Sequence, residues 1–184
     1  MSDWRALSMS QPWLELVLRG LKPVENRRRN LGRSHLPFIL HGAQSDDGEH
    51  ARAFLASRGL GQREGLLRTP EDALIQLALA VEPRRGFCGV ARSVGLLEPY
   101  DSRAPGVSLT VESLGVQHRF DLAWWMREQY GYLLVDVRQF EVVPGPGRLG
   151  FFRVDPDVVA KLGLPPSPEE YLARGPELWH PPGP

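Results

Sequence analysis

Apolar positions recur along the chain at two different spacings, and the switches between them mark out its elements. Residues 5–9 read as a short first strand. Trp13, Leu16 and Val17 then fall at helical spacing behind Pro12, which predicts a helix over 11–19 that Gly20 ends. Pro23 biases Lys22 towards extended backbone, so residues 24–29 are expected to leave that turn as a strand. Leu36-Pro37-Phe38-Ile39-Leu40-His41 predicts the next strand, followed by a polar turn and a helix over 48–58 closed by Gly59. A second helix is signposted by Thr69 as N-cap, Pro70 at its first position and Glu71-Asp72 in its first turn. Ala73, Leu74, Leu77, Ala78 and Val81 form its expected apolar face.

Residues 86–97 (Phe87, Val90, Val94, Leu96) predict a long strand and 109–111 a short one, and Asp121 is placed as the cap of a short helix through Arg127 carrying Trp124 and Trp125. Residues 132–143 and 149–154 predict a strand pair joined by the turn Pro144-Gly145-Pro146-Gly147. Six strands, the short 109–111 segment aside, with helices between them point to an α+β domain built on a small β-barrel. That domain is expected to span residues 1–155, with a helical insertion at about 49–85 and a C-terminal helix turn and tail over 156–184. Seven prolines fall in the last 20 residues, so residues 165–184 are expected to run extended along the surface, with Tyr171 and Trp179 as anchors; a protein partner docking there is the sharper alternative.

A chain of 184 residues fits one domain and can bury roughly two thirds of its unfolded surface without staples. The single Cys88 cannot form an internal disulfide and lies in an apolar run, which favours a reducing, cytoplasmic setting. No stretch approaches the roughly 18 apolar residues of a membrane span, and no apolar leader opens the chain, so no membrane partner is expected. Twenty-two basic residues balance 22 acidic ones, which argues against a charge-driven coat of long nucleic acid. The balance is uneven, however: Arg19, Lys22, Arg27, Arg28, Arg29 and Arg33 cluster around Glu25 alone. Such a patch suits a short phosphate-bearing ligand, the bland alternative being a solvated basic hairpin.

Lys22 draws the chemistry to this segment, because it is one of only two lysines among the 22 basic residues. An ammonium is a compact point charge whose pKa can shift, which a guanidinium is not. On a strand, Glu25, Arg27 and Arg29 share one face at about 6.5–7 Å spacing. Together with Lys22 they offer donors for a phosphate or carbonyl oxygen and one carboxylate to accept from an exocyclic amine. Arg27, Arg28, Arg29 and Arg33 are the expected phosphate contacts, and Trp13 or Tyr132 could stack on a base; Trp13 packing its helix to the barrel is the plainer role. His41 is either a proton carrier or a strand-end histidine satisfied by the backbone. His41, Asp46, Asp47, Glu49 and His50 lack a metal-binding frame, so neither metal nor other cofactor is expected. Pro144–Gly147 is not a phosphate loop, and Ser8 and Ser10 lack the frame of a nucleophile elbow; Asp101 and Asp121 read as turn and cap residues.

Gly20, Lys22, Glu25 and Arg27 fill the four slots of Gly-x-Lys-x-x-Glu-x-Arg, a signature that resembles the ASCH (activating signal cointegrator homology) family. The preceding Leu7-Ser8-Met9-Ser10-Gln11-Pro12-Trp13 resembles the segment that introduces the motif in its cointegrator-like branch. Residues 86–97 and 147–154 are similar to the family's middle and closing strands. The resemblance covers roughly residues 4–155 and implies a PUA-like barrel with a cleft beside the first helix, lined by the Lys-Glu-Arg motif, in a fold associated with RNA. Two functions follow as expectations. One is a binding module for single-stranded RNA, other single-stranded nucleic acid or a nucleotide. The other is a small hydrolase, a ribonuclease or an amidohydrolase of a modified nucleoside, with Lys22 and Glu25 as its catalytic residues and His41 a lesser candidate. One branch of the family removes an acetyl group from acetylated cytidine with a lysine, a threonine and a distant glutamate. Lys22 matches that lysine, but Glu25 stands where the threonine would be, so a water-activating carboxylate would have to replace the hydroxyl nucleophile.

Overall fold

A computed structural model describes residues 3–32, 35–60, 70–102 and 107–175. Among the described residues, eight strands and five α-helices follow one another. The first strand, β1 (Arg5–Gln11), runs into a six-residue helix, α1 (Trp13–Leu18), that Pro12 starts and Gly20, at φ 70°, stops. Every residue of α1 is buried, including Glu15, whose two oxygens hold Arg19 Nε at 2.8 Å and Arg84 Nε at 2.9 Å. Then come β2 (Val24–Arg27), β3 (Phe38–Asp46), α2 (Gly48–Ser57), α3 (Pro70–Ala80) and β4 (Gly86–Leu97). The second half carries β5 (Ser108–Ser113), β6 (Val116–Asp121), β7 (Tyr130–Val143), β8 (Phe151–Arg153), α4 (Pro156–Lys161) and α5 (Pro168–Arg174).

Six strands form one curled sheet in the order β2-β7-β4-β3-β1-β8, and β5 and β6 form a separate hairpin. The result is a mixed α+β fold dominated by a half-barrel, as the strand-and-helix alternation implied. The helix α1 lies against the sheet, with Leu14, Leu16 and Val17 fully buried. Gly89 permits this close approach, since a Cβ there would lie 2.7 Å from Leu18 Cδ2 and 2.6 Å from the Arg138 carbonyl oxygen. No described helix is long and apolar enough to cross a membrane. Cys88 is buried with its thiol pushed up to about 12, chiefly by burial, so it is an inert core residue.

Five expectations need correction. The helix expected from Asp121 through Arg127 is a single 3-10 turn, Leu122–Trp124, because the backbone turns extended at Trp125 (φ -86°, ψ 127°). The strands of residues 132–143 and 149–154 do not pair with each other. Both edges of β7 are taken, by β2 and β4, so the Pro144–Gly147 segment carries the chain across the sheet and β8 pairs antiparallel with β1. The short strand at 109–111 is half of a hairpin whose other half, β6, has weak apolar alternation; its signal is the Leu114-Gly115 turn, at φ 52° and 76°. In α3 the buried face is Asp72, Ile75 and Ala78, while Leu74 and Leu77 are 44% and 50% exposed. Thr69, its expected cap, lies outside the described residues. Finally, residues 165–175 are not an extended tail. Ser167 caps α5 by accepting from Glu170 N, and Pro168 occupies the first turn, where a missing N–H costs nothing. Tyr171 packs edge-on against Trp4 with ring centroids 5.7 Å apart, and Trp4 Nε1 donates to the Pro165 carbonyl at 2.8 Å. Trp179 lies outside the described residues.

Candidate nucleotide-sized cleft

The end of α1 sets the position of Lys22. Main-chain N–H groups of Leu21 and Lys22 both donate to the Leu16 carbonyl, at 3.0 and 3.1 Å, which folds the turn back under the helix. Lys22 is thereby 2% exposed, and its Nζ donates to the Val24 carbonyl at 2.7 Å and to Glu25 Oε2 at 2.7 Å. The ammonium also stands 5.5 Å from the centre of the Trp13 ring, within cation–π range. Glu25 enters from β2, 5% exposed, with Arg27 Nε 2.9 Å from its Oε1. That N–H is not aimed at the carboxylate, so Arg27 Nε is a buried donor without a hydrogen-bond partner. Its Nη2 reaches the Ser8 carbonyl.

Burial alone would raise the Glu25 carboxyl, but the nearby charges of Lys22 and Arg27, with the hydrogen bond from Lys22, outweigh it and hold the group below the usual carboxylate range. Burial acts in the opposite sense on Lys22 and pulls its ammonium below the ordinary lysine value, despite the pull of Glu25 in the other direction. One carboxylate between two cations is therefore ionised, and one ammonium is held at a cost in desolvation.

These groups line a cleft of about 280 Å³. Lys22, Glu25 and Arg27 meet there with Trp13 and Arg28. Trp13 is buried and packs edge-on to Phe54 at 5.6 Å, and it also walls the cleft with its indole N–H fixed on Asp47 Oδ2 at 2.9 Å. Arg29 is exposed and away from the cleft, because β2 ends at Arg27 and strand alternation stops with it. Arg33 lies outside the described residues. Tyr132 does not offer a stacking face: it is 2% exposed, and its hydroxyl accepts from Leu31 N at 2.6 Å and donates to Asn30 Oδ1 at 3.2 Å. His41 sits in a different cavity, hydrogen-bonded to Gly145, and so cannot share chemistry with Lys22.

Other residues of the cleft come from distant segments. Asn26 accepts from Met126 N and donates to the Trp124 carbonyl, each at 2.8 Å, stapling residues 124–129 to β2 so that Met126 and Gln129 form the opposite wall. Asp47 and His50, noticed in the sequence only as parts of an acidic loop, stand at the rim with His50 Nδ1 3.5 Å from Asp47 Oδ2. Nothing in local spacing links them to Lys22. Among the described residues no group of three His, Cys, Asp or Glu side chains is arranged to hold a metal. The cleft thus presents a carboxylate, an unspent arginine donor and an indole wall, a set suited to gripping a flat polar ring and an attached anion. No protein-family model matches this chain, and no curated protein matches its sequence.

Proposed function

We propose that this is a nucleic-acid-binding domain of the ASCH type, with a PUA-like barrel, that takes one nucleotide of a short single-stranded or modified RNA into the Lys22-Glu25-Arg27 cleft. The observation that carries the reading is the buried Arg27 Nε donor, left without a hydrogen-bond partner beside an ionised Glu25. A ligand acceptor atom would satisfy that donor, and Glu25, which has lone pairs beyond those its two cations engage, would accept from an amino group. The indole wall of Trp13 suits a π-face, a contact that contributes about 1–3 kcal/mol per base in comparable sites. Exposed Arg28 at the mouth suits the phosphate.

A hydrolase acting on a modified nucleoside is the second reading, favoured by one observation: burial lowers the Lys22 pKa, which brings a neutral amine within easier reach. Glu25 fits that role poorly, since a carboxylate held ionised by two cations is a weak base. Binding is therefore the stronger reading.

The test is fluorescence anisotropy of short labelled RNAs and of mononucleotides at fixed salt, alongside product analysis. Arg27→Ala is expected to weaken retention by at least tenfold with no product formed. Unchanged affinity would remove the binding reading, and turnover abolished in Lys22→Ala would establish the second.

A further inference from the structure

Beyond the Lys22 cleft, a second cavity of about 540 Å³ opens at Ser8 of β1, and it contains a hydroxyl paired with an imidazole. Ser8 and His41 are register partners on the parallel strands β1 and β3, so their side chains emerge side by side on one face. Ser8 Oγ lies 3.2 Å from His41 Nδ1. His41 Nε2 lies 3.0 Å from the Gly145 carbonyl oxygen, which can only accept, so Nε2 carries the hydrogen and Nδ1 presents a lone pair to the serine. The ring is 3% exposed and held edge-on by Phe87 and Phe152, with centroids 4.8 and 5.9 Å away. Nucleophile, base and a group orienting the base are thus in one line, the arrangement that activates a serine hydroxyl.

The wall opposite is equally specific. A Cβ on Gly147 would fall 2.3 Å from His41 Cε1 and 2.6 Å from Ser8 Oγ, so only a residue without a side chain can cover the pair. A register shift in the β3–β4 ladder at Leu40/His41 adjoins the site, a common device for re-aiming side chains. Arg85 and Arg148 stand at the rim, and no carboxylate occurs among the described residues that line the cavity.

We propose that Ser8 and His41 form a second, esterase-like site that takes a small acyl ester bearing a negative charge. Ser8 Oγ attacks the acyl carbon while His41 Nδ1 takes the hydroxyl proton. That proton passes to the departing alkoxide as the original ester C–O bond breaks. Water, deprotonated by the same nitrogen, then cleaves the acyl-serine, so ester and water become acid and alcohol and Ser8 is regenerated. Arg85 and Arg148 hold the anionic end of the acyl group. This proposal stands independently of nucleic-acid binding.

The test has two arms on the full chain. In the first, a fluorophosphonate probe is added to the wild-type protein and the modified peptide is located by mass spectrometry; phosphonylation at Ser8 is expected. In the second, hydrolysis of 4-nitrophenyl acetate is compared with that of the 4-nitrophenyl monoester of glutaric acid. The carboxylate-bearing ester is expected to have the lower KM, and Arg148→Gln to raise that KM alone. Ser8→Ala and Gly147→Ala are each expected to lower kcat/KM by about 100-fold or more. Modification elsewhere, no modification, or hydrolysis undiminished in folded Ser8→Ala overturns the site, and equal KM values overturn its preference for an anion. The labelling arm requires no variant, so it decides even if a substitution impairs folding.

Discussion

Glu25 joins two cations in a place water scarcely reaches, with Lys22 Nζ on one oxygen and Arg27 on the other. Removing its charge leaves Lys22 as a buried ammonium without its anion, so Glu25→Gln is expected to cost about 3–5 kcal/mol in chemical denaturation. Replacing the pair together, as Lys22→Met with Glu25→Leu, is expected to recover most of that loss, because a buried ion pair offers little net stability over apolar residues. The pH dependence follows from the same pair. Folding lowers the Glu25 pKa, so just below the ordinary carboxylate value the unfolded chain binds more protons, and stability drains away as pH falls through the folded value. Folding also lowers the Lys22 pKa, so the cost of its ammonium is present at neutral pH and is relieved as pH climbs towards the ordinary lysine range. Thermal melts across pH are expected to show an acid limb that flattens in Glu25→Gln.

At the scale of elements, the C-terminal helix α5 belongs to the core. Tyr171 and Trp4 are each nearly inaccessible, and the cluster they share includes Ala6, Ile39 and Val90 from three strands of the sheet. Tyr171→Ala is expected to cost about 3–5 kcal/mol by urea denaturation, the range for truncating a large buried ring. A freely extended tail would lose nothing measurable. The hairpin of β5 and β6 is a more independent piece, turned by Leu114-Gly115 at positive φ. Gly115→Ala meets no atom within 4 Å, so its cost should be backbone strain alone, about 1 kcal/mol.

For the molecule as a whole, zero net charge and a concentrated basic edge predict binding that is local in its electrostatics. Affinity for a short RNA is expected to fall with salt at a slope matching only one to a few phosphates, and Arg28→Ala to reduce that slope by about one; a steep slope typical of many phosphate contacts would contradict a one-nucleotide cleft. How much of this was legible depends on distance along the chain. Lys22, Glu25 and Arg27 could be read as neighbours because a helix end, a turn and a strand place them within six residues. The strand β4 was legible end to end as an apolar run, and Asp121 was legible as a cap, since its carboxylate does accept from Ala123 N. Asp47, His50, Met126 and Gln129 were not legible as parts of a cleft, because it is the Asn26 staple and the Trp13-Asp47 hydrogen bond that bring them to Lys22. Nor was the pairing of Ser8 with His41, which depends on strand register. By itself the sequence determined local things: where most elements begin and end, and that an ammonium, a carboxylate and a guanidinium share one turn. Only the tertiary structure decided which strands are neighbours, which face of α3 is covered and which side chains face each other across a cavity, because periodicity records that a position is buried but not what it is buried against.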